Sequence, residues 1–250
     1  MSVNSKSTSI YDTGLDKNMA NHVPLSPINF LRRSAAVYPT KTAVIYETLR
    51  FTYQEFYDRC CGLARALMGV GVAPGETVAV MAPNIPAMLE CHYGVPMTGA
   101  VLNTINIRLD ASTIAFILEH SEAKVFIVDC EYASKVVPAL DRLKHKPMVV
   151  DIVDSKISDI SIGERNYESF ITEFEDSNSF SFKTPDDEWG AISLCYTSGT
   201  TGNPKGVVGH HRGAFLNSVS AILGTGLNSK RSIYGPFQCS IATDGVLRGL

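Results

Sequence analysis

The sequence lacks the features that mark several special classes of protein. Its 22 basic residues do not outnumber its 25 acidic ones, and the net charge of −3 excludes the strongly positive surface needed for non-specific nucleic-acid binding. The longest uncharged stretch, 91–107, is interrupted by histidine, proline and asparagine, so no membrane span is predicted. The polar N-terminal segment has no apolar core of a secretory signal. We therefore expect a cytoplasmic globular protein without a nucleic-acid partner.

The six cysteines do not form a recognisable framework. They include no C-x-x-C pair and no spacing suited to structural zinc, and most lie in apolar runs. Cysteine in such runs behaves as a small hydrophobic residue. The sequence therefore predicts free, buried thiols in a reducing compartment, and no metal site.

Acidic residues are concentrated in one segment. Residues 154–188 contain ten acids against three bases, are rich in serine and show weak patterning. Such charge runs are typical of solvated surface. We interpret the segment as an exposed connection that carries one short helix at 167–174.

The remaining chain alternates apolar strands with helices. Thr52-x-x-Glu55 is a capping box that begins the clearest helix, and Gly69 and Gly71 end it. Strands that are apolar throughout, separated by helices, indicate an α/β fold with a parallel sheet flanked by helices. We predict a polar arm at 1–20 and one domain at 21–230. The predicted strands are 42–46, 49–51, 77–81, 100–103, 124–129, 148–153, 191–196 and 206–208, and the other predicted helices are 27–37, 86–92, 112–120 and 133–144.

One segment between two predicted strands has an unusual composition. Glycine lets backbone N–H groups converge, serine and threonine add donors, and lysine adds positive charge, so such a loop can enclose an anion. A triphosphate fits this chemistry well. The candidate phosphate-binding residues are Thr197, Ser198, Gly199, Thr200, Thr201, Gly202 and Lys205.

Two alternatives compete with this interpretation. A Walker A loop has the same spacing from glycine to lysine, but here Pro204 and Gly206 occupy the positions of its second glycine and its magnesium-binding hydroxyl residue. A plain hairpin turn usually needs only two to five residues. The length and the lysine favour a phosphate-binding loop over both.

Other conspicuous residues have simpler interpretations. Gly69-Val-Gly71 imitates a dinucleotide fingerprint, but it ends a helix and precedes a strand, the reverse of that motif. His210 and His211 are adjacent and cannot share one helical face, so we expect a helix start there rather than a metal or catalytic pair. Trp189 is predicted to be a packing residue.

Thr197-Ser-Gly-Thr-Thr-Gly-Asn-Pro-Lys-Gly206 resembles the phosphate-loop signature of the adenylate-forming superfamily, which comprises acyl-CoA synthetases, luciferases and peptide-synthetase adenylation domains. All fixed positions of the signature are present. Further segments resemble the short- and medium-chain acyl-CoA synthetase branch, so that the likeness covers about residues 11–228. They begin at Tyr11, Ala79, Gly94 and His210.

The resemblance implies an activity. In that family a carboxylate attacks the α-phosphate of ATP·Mg²⁺ to give an acyl-adenylate and pyrophosphate, and the thiol of CoA then displaces AMP. It implies that Lys205 is the catalytic cation, that the loop hydroxyls donate to the phosphates, and that Mg²⁺ arrives with ATP. Two rivals remain: a non-catalytic binding fragment or pseudogene product, and an adenylation domain that loads a carrier protein.

The resemblance also implies that this chain is an N-terminal fragment, without the family's mobile C-terminal domain. The family motif Trp-Thr-Leu-Pro-Met-Phe-His-Cys-Asn-Gly-Trp is expected near residue 234. One permitted coding string for the segment that begins at Tyr234 gives this motif when it is read from the third base of the first codon. We therefore expect residues 231–250 to be an out-of-frame tail, and the chain alone to be inactive as a synthetase.

Overall fold

The computed structural model describes residues 9–18, 20–153, 160–174, 184–197 and 203–225. They form seven α-helices and nine strands, besides short 3₁₀ turns at Ile10–Asp12 and Cys130–Tyr132. The helices are α1 Ile28–Val37, α2 Tyr53–Gly69, α3 Pro86–Met97, α4 Ala111–His120, α5 Ala133–Leu140, α6 Tyr167–Thr172 and α7 His211–Thr225. The strands are β1 Thr42–Tyr46, β2 Leu49–Thr52, β3 Thr77–Met81, β4 Val101–Thr104, β5 Val125–Asp129, β6 Met148–Ile152, β7 Arg165–Asn166, β8 Ala191–Thr197 and β9 Lys205–His210.

A seven-stranded sheet with the order β7-β6-β5-β3-β4-β8-β9 organises the domain, and β1 and β2 form a separate hairpin. The first six strands of this order run parallel. Alternate residues of β3 face opposite layers: Val78 and Val80 pack towards α2, α3 and α6, whereas Ala79 and Met81 pack towards α4 and α5. Burial on both faces explains why the central strands are apolar throughout, and the predicted α/β fold is confirmed.

Local sequence signals account for several boundaries. The capping box at the start of α2 is present, since Thr52 Oγ1 accepts a hydrogen bond from the Glu55 amide at 3.2 Å and the Glu55 carboxylate accepts one from the Thr52 amide at 2.7 Å. Gly71 follows α2 with φ of +90°, a conformation that other residues rarely adopt.

All five cysteines in the described residues are free and buried, as predicted.

Several details differ from the sequence-based prediction, among them helix α5, which ends at Leu140 rather than at residue 144. Strand β9 is antiparallel to β8, because the connection from 198 to 204 is too short for a parallel crossover. Helix α3 continues to Met97, with Pro96 in its last turn. Helix α6 exists, but it is not part of an exposed connection: Tyr167, Phe170 and Ile171 are buried in the core, because this short amphipathic helix packs on α2.

Among the described residues, none of the helices combines the length and apolar character that a bilayer crossing demands. The predicted tail at 231–250 lies outside the described residues. Its loss of frame stays a prediction.

Candidate functional site

The two ends of the candidate phosphate loop lie side by side. Strands β8 and β9 pair antiparallel, and the Cα atoms of Thr197 and Lys205 are partners in the last step of this ladder. The backbone therefore brings together the first hydroxyl residue and the lysine of the motif. The other predicted site residues, Ser198, Gly199, Thr200, Thr201 and Gly202, lie outside the described residues. The hairpin topology is consistent with both a turn and a binding loop.

This hairpin opens at the carboxyl end of the parallel sheet. Strand β8 is parallel to β4, with Thr104 opposite Cys195, and β4 is parallel to β3, with Val80 opposite Thr104. Ligands of open α/β sheets bind beyond the carboxyl ends of the strands, where connections meet. Thr197 and Lys205 therefore lie at the edge of the sheet where a nucleotide is expected.

Lys205 is exposed at the first position of β9. Within the ranges that the structure describes, no carboxylate forms an ion pair with it. The same residues contain no group of three or more His, Cys, Asp and Glu side chains arranged to hold a metal ion. An exposed lysine that pairs in register with a threonine suits an anionic ligand such as a phosphate.

Aromatic side chains support the base of this hairpin from the α4 face. Tyr196 is opposite Gly206, and a Cβ atom at Gly206 would lie 3.5 Å from Cζ of the tyrosine ring. The Tyr196 hydroxyl and Nδ1 of His120 share a hydrogen bond of 2.7 Å. Sequence reasoning missed His120, because it lies 76 residues away from Tyr196 and no local pattern connects the two.

The helix start predicted at the two histidines is present: His210 ends β9 and His211 begins α7. Nδ1 of His210 accepts a hydrogen bond from the Gly213 amide at 2.8 Å, and Nδ1 of His211 lies 2.9 Å from the buried hydroxyl of Ser26. Burial, together with the neighbouring His210, lowers the pKa of His211 to about 4. A neutral, buried imidazole at this position anchors the helix.

Glu188 makes a second attachment between α7 and the rest of the domain. Its carboxylate accepts hydrogen bonds from the Arg212 guanidinium at 2.6 Å and from the Leu25 amide at 2.8 Å. The Leu25 amide is the main cause of the lowered pKa of Glu188, followed by Arg212. Trp189, predicted to be a packing residue, is 65% exposed and outside the core. It lies in a surface turn, where its ring contacts His210.

Comparison with known proteins agrees with this architecture. The profile of the family described as AMP-binding enzyme matches residues 31–243. This range extends into residues 231–250. That these residues are out of frame stays a prediction.

Curated relatives include a peroxisomal butyrate–CoA ligase of Arabidopsis thaliana, 45% identical over 82% of this chain and 37% of the relative. An acetate–CoA ligase of Humulus lupulus is 44% identical over 86% of this chain and 40% of the relative. The chain thus spans about two fifths of the length of these relatives.

Solved structures share the fold at lower identity. A putative long-chain-fatty-acid CoA ligase from Rhodopseudomonas palustris superimposes with a TM-score of 0.69 at 24% identity, covering 82% of this chain and 49% of the other. An anthranilate CoA ligase in complex with anthranoyl-AMP gives 0.70 at 22% identity, covering 84% and 39%. The extent of the profile match and the identity to the curated ligases establish that this chain belongs to the family of AMP-binding enzymes.

Proposed function

We propose that this chain provides the ATP-phosphate-binding part of an acyl-CoA synthetase that activates a short- or medium-chain carboxylic acid. The observation that carries the proposal is the pairing of Thr197 with an exposed Lys205 at the carboxyl end of the parallel sheet. The names of the relatives, which act on acetate, butyrate and trans-cinnamate, support a carboxylic acid and CoA as the other substrates.

Lys205 would act on the charge that develops on the leaving group. When the carboxylate attacks the α-phosphate, pyrophosphate departs with additional negative charge, and a fixed cation stabilises that charge more than it stabilises the ground state. Thr197 and the loop residues 198–202 would donate hydrogen bonds to the same phosphates. Mg²⁺ would enter bound to ATP, since Mg²⁺ in such sites is held largely by substrate phosphates.

Binding of Mg·ATP to the 250-residue chain tests the phosphate site directly. We expect Lys205→Ala to weaken binding, measured by isothermal titration calorimetry, by at least about tenfold, because a charge-assisted hydrogen bond is lost. Lys146→Ala is the matched control. It also removes one lysine charge, here from an ion pair with Asp141, and Lys146 lies just before the amino end of β6. Equal affinities for the two variants would overturn the assignment of Lys205.

A chimera tests the activity itself. Residues 9–225 of this chain would replace the matching segment of the Humulus lupulus acetate–CoA ligase, to which the chain is 44% identical. We expect acetate-dependent pyrophosphate release and acetyl-CoA formation by the chimera, and loss of both with Lys205→Ala. Mg·ATP binding by the chain together with a folded but inactive chimera would instead support the non-catalytic binding module. The cytoplasmic location stays a prediction, because several relatives are described as peroxisomal.

A further inference from the structure

The aromatic cluster on the α4 face of the hairpin is defined by Phe116, His120 and Tyr196. The rings of Phe116 and His120 stack with centroids 5.3 Å apart, and Tyr196 meets each of them edge-on, at 6.5 Å and 5.7 Å. These contacts restrict the orientation of the imidazole, although His120 is exposed. The hydrogen bond between His120 and Tyr196 therefore joins two side chains that ring contacts also hold.

The cluster contacts both strands that border the candidate phosphate loop. Tyr196 directly precedes Thr197 in β8, and its ring lies over Gly206, which directly follows Lys205 in β9. His120 is the last residue of α4, whose inner face packs in the core through Ile114 and Ile117. The hydrogen bond thus links a helix anchored in the core to the base of the hairpin.

We propose that His120 is a positioning residue for nucleotide binding, which holds Tyr196 so that Thr197 and Lys205 keep the separation needed to bind a polyphosphate. The inference rests on the proposed function, because it presupposes that Thr197 and Lys205 contact the phosphates of ATP. His120 itself does not contact the ligand. The effect of His120 on binding is transmitted through the hydroxyl group and the ring of Tyr196.

Two substitutions remove the hydrogen bond and keep the rings. Tyr196→Phe deletes only the hydroxyl, and His120→Phe keeps a stacking partner for Phe116. We expect each to weaken binding of Mg·ATP to the full chain by up to about fivefold, because ligand binding must then order the hairpin that this hydrogen bond, of about 1 kcal/mol, otherwise holds in place. The double variant should bind no more weakly than either single variant, because both remove the same interaction. His120→Asn, whose amide can still pair with the hydroxyl, should stay within about twofold of the original chain.

Tyr167→Phe is the matched control. Its hydroxyl also makes a hydrogen bond of 2.7 Å, to Glu90, but on the opposite face of the sheet. We expect it to lower the melting temperature without changing the affinity for Mg·ATP. The variants at 120 and 196 should weaken binding of Mg·ATP and leave the melting temperature unchanged. Circular dichroism follows the melting curves.

The outcomes separate this inference from the proposed function. If Lys205→Ala weakens binding and both ring-preserving variants bind as tightly as the original chain, the positioning role of His120 is wrong and the phosphate site stands. Additive losses in the double variant would also overturn it. If the original chain does not bind Mg·ATP, the phosphate site of this chain and the role of His120 both fail.

Discussion

The central strands and the hairpin belong to one sheet but differ greatly in solvent exposure. Every residue of β3 and β5 is buried between two helical layers, whereas the first four residues of β9 are exposed, with Val208 62% accessible. Strand β8 pairs with β4 in the sheet, and α7 is attached through the polar contacts of His211 and Glu188 and through the stacked rings of Phe30 and Phe215. The covered part thus determines the fold, and the hairpin leaves Lys205 exposed, as the proposed phosphate site requires.

The largest effect is expected from the buried ion pair of the covered part. Glu90 is fully buried, and its carboxylate accepts hydrogen bonds from Arg59 at 2.6 Å and from Tyr167 at 2.7 Å. Glu90→Ala leaves the guanidinium without this partner and should lower the free energy of unfolding by about 3–5 kcal/mol. Urea denaturation measures the loss.

Glu168→Ala sharpens this test, because Glu168 binds the same guanidinium at 2.7 Å but its side chain is 64% exposed. An exposed pair contributes little, and we expect a change of less than about 1 kcal/mol. Similar losses for both glutamates would mean that burial does not distinguish the two ion pairs.

A single substitution made in both parts of the sheet tests the comparison most directly. Val80→Ala, in a fully buried strand, removes two methyl groups and leaves a cavity, so we expect a loss of about 2 kcal/mol. Val208→Ala in β9 should change the free energy of unfolding by less than about 0.5 kcal/mol. Chemical denaturation of both variants gives the two losses in the free energy of unfolding. Equal losses would contradict the division between covered and exposed strands.

The covered part was largely predictable from the sequence. The strand Thr77–Met81 was predicted with its observed bounds because a run buried on both faces is apolar at every position. The burial of Tyr167 and Phe170 was not predictable, since the acidic residues around them indicate a solvated segment. Glu90 also gave no signal, because its partner Arg59 lies on another helix.

At the hairpin, the loop was predictable from the sequence, but the contacts that support it were not. The contiguous motif from Thr197 to Lys205 predicted a loop between two strands, and the structure pairs these two residues. Its surroundings could not be predicted, since the contacts of His120 with Tyr196 and of Ser26 with His211 join residues 76 and 185 positions apart. A local pattern identifies a loop, whereas only the fold identifies what supports it.

Acid should weaken the attachment of the hairpin end before it affects the covered sheet. The pKa of His211 is lowered by burial from 6.5 to about 4, so the unfolded chain binds the proton more tightly. Its contribution is therefore present above pH 6.5 and is lost between pH 6.5 and 4, by about 1 kcal/mol at pH 5 after allowing for solvent screening.

Thermal melts from pH 7 to 5 check this expectation, with His211→Gln as the non-titrating control. The variant should show a flatter dependence of melting temperature on pH than the original chain. Parallel curves would assign the acid sensitivity to other groups.

The smallest effect on folding is expected at the exposed face of β9, where association rather than stability should respond. Strand β9 ends the described sheet, and Val208 and Val207 are 62% and 40% exposed. Edge strands with exposed apolar side chains favour pairing with other molecules, and a lysine at such an edge opposes it. Val208→Lys should therefore leave the free energy of unfolding within about 0.5 kcal/mol but reduce self-association of the 250-residue chain in sedimentation velocity experiments. Lysine at the exposed Met68 of α2 is the control for added charge. If Met68→Lys reduces association equally, net charge rather than the β9 edge governs it.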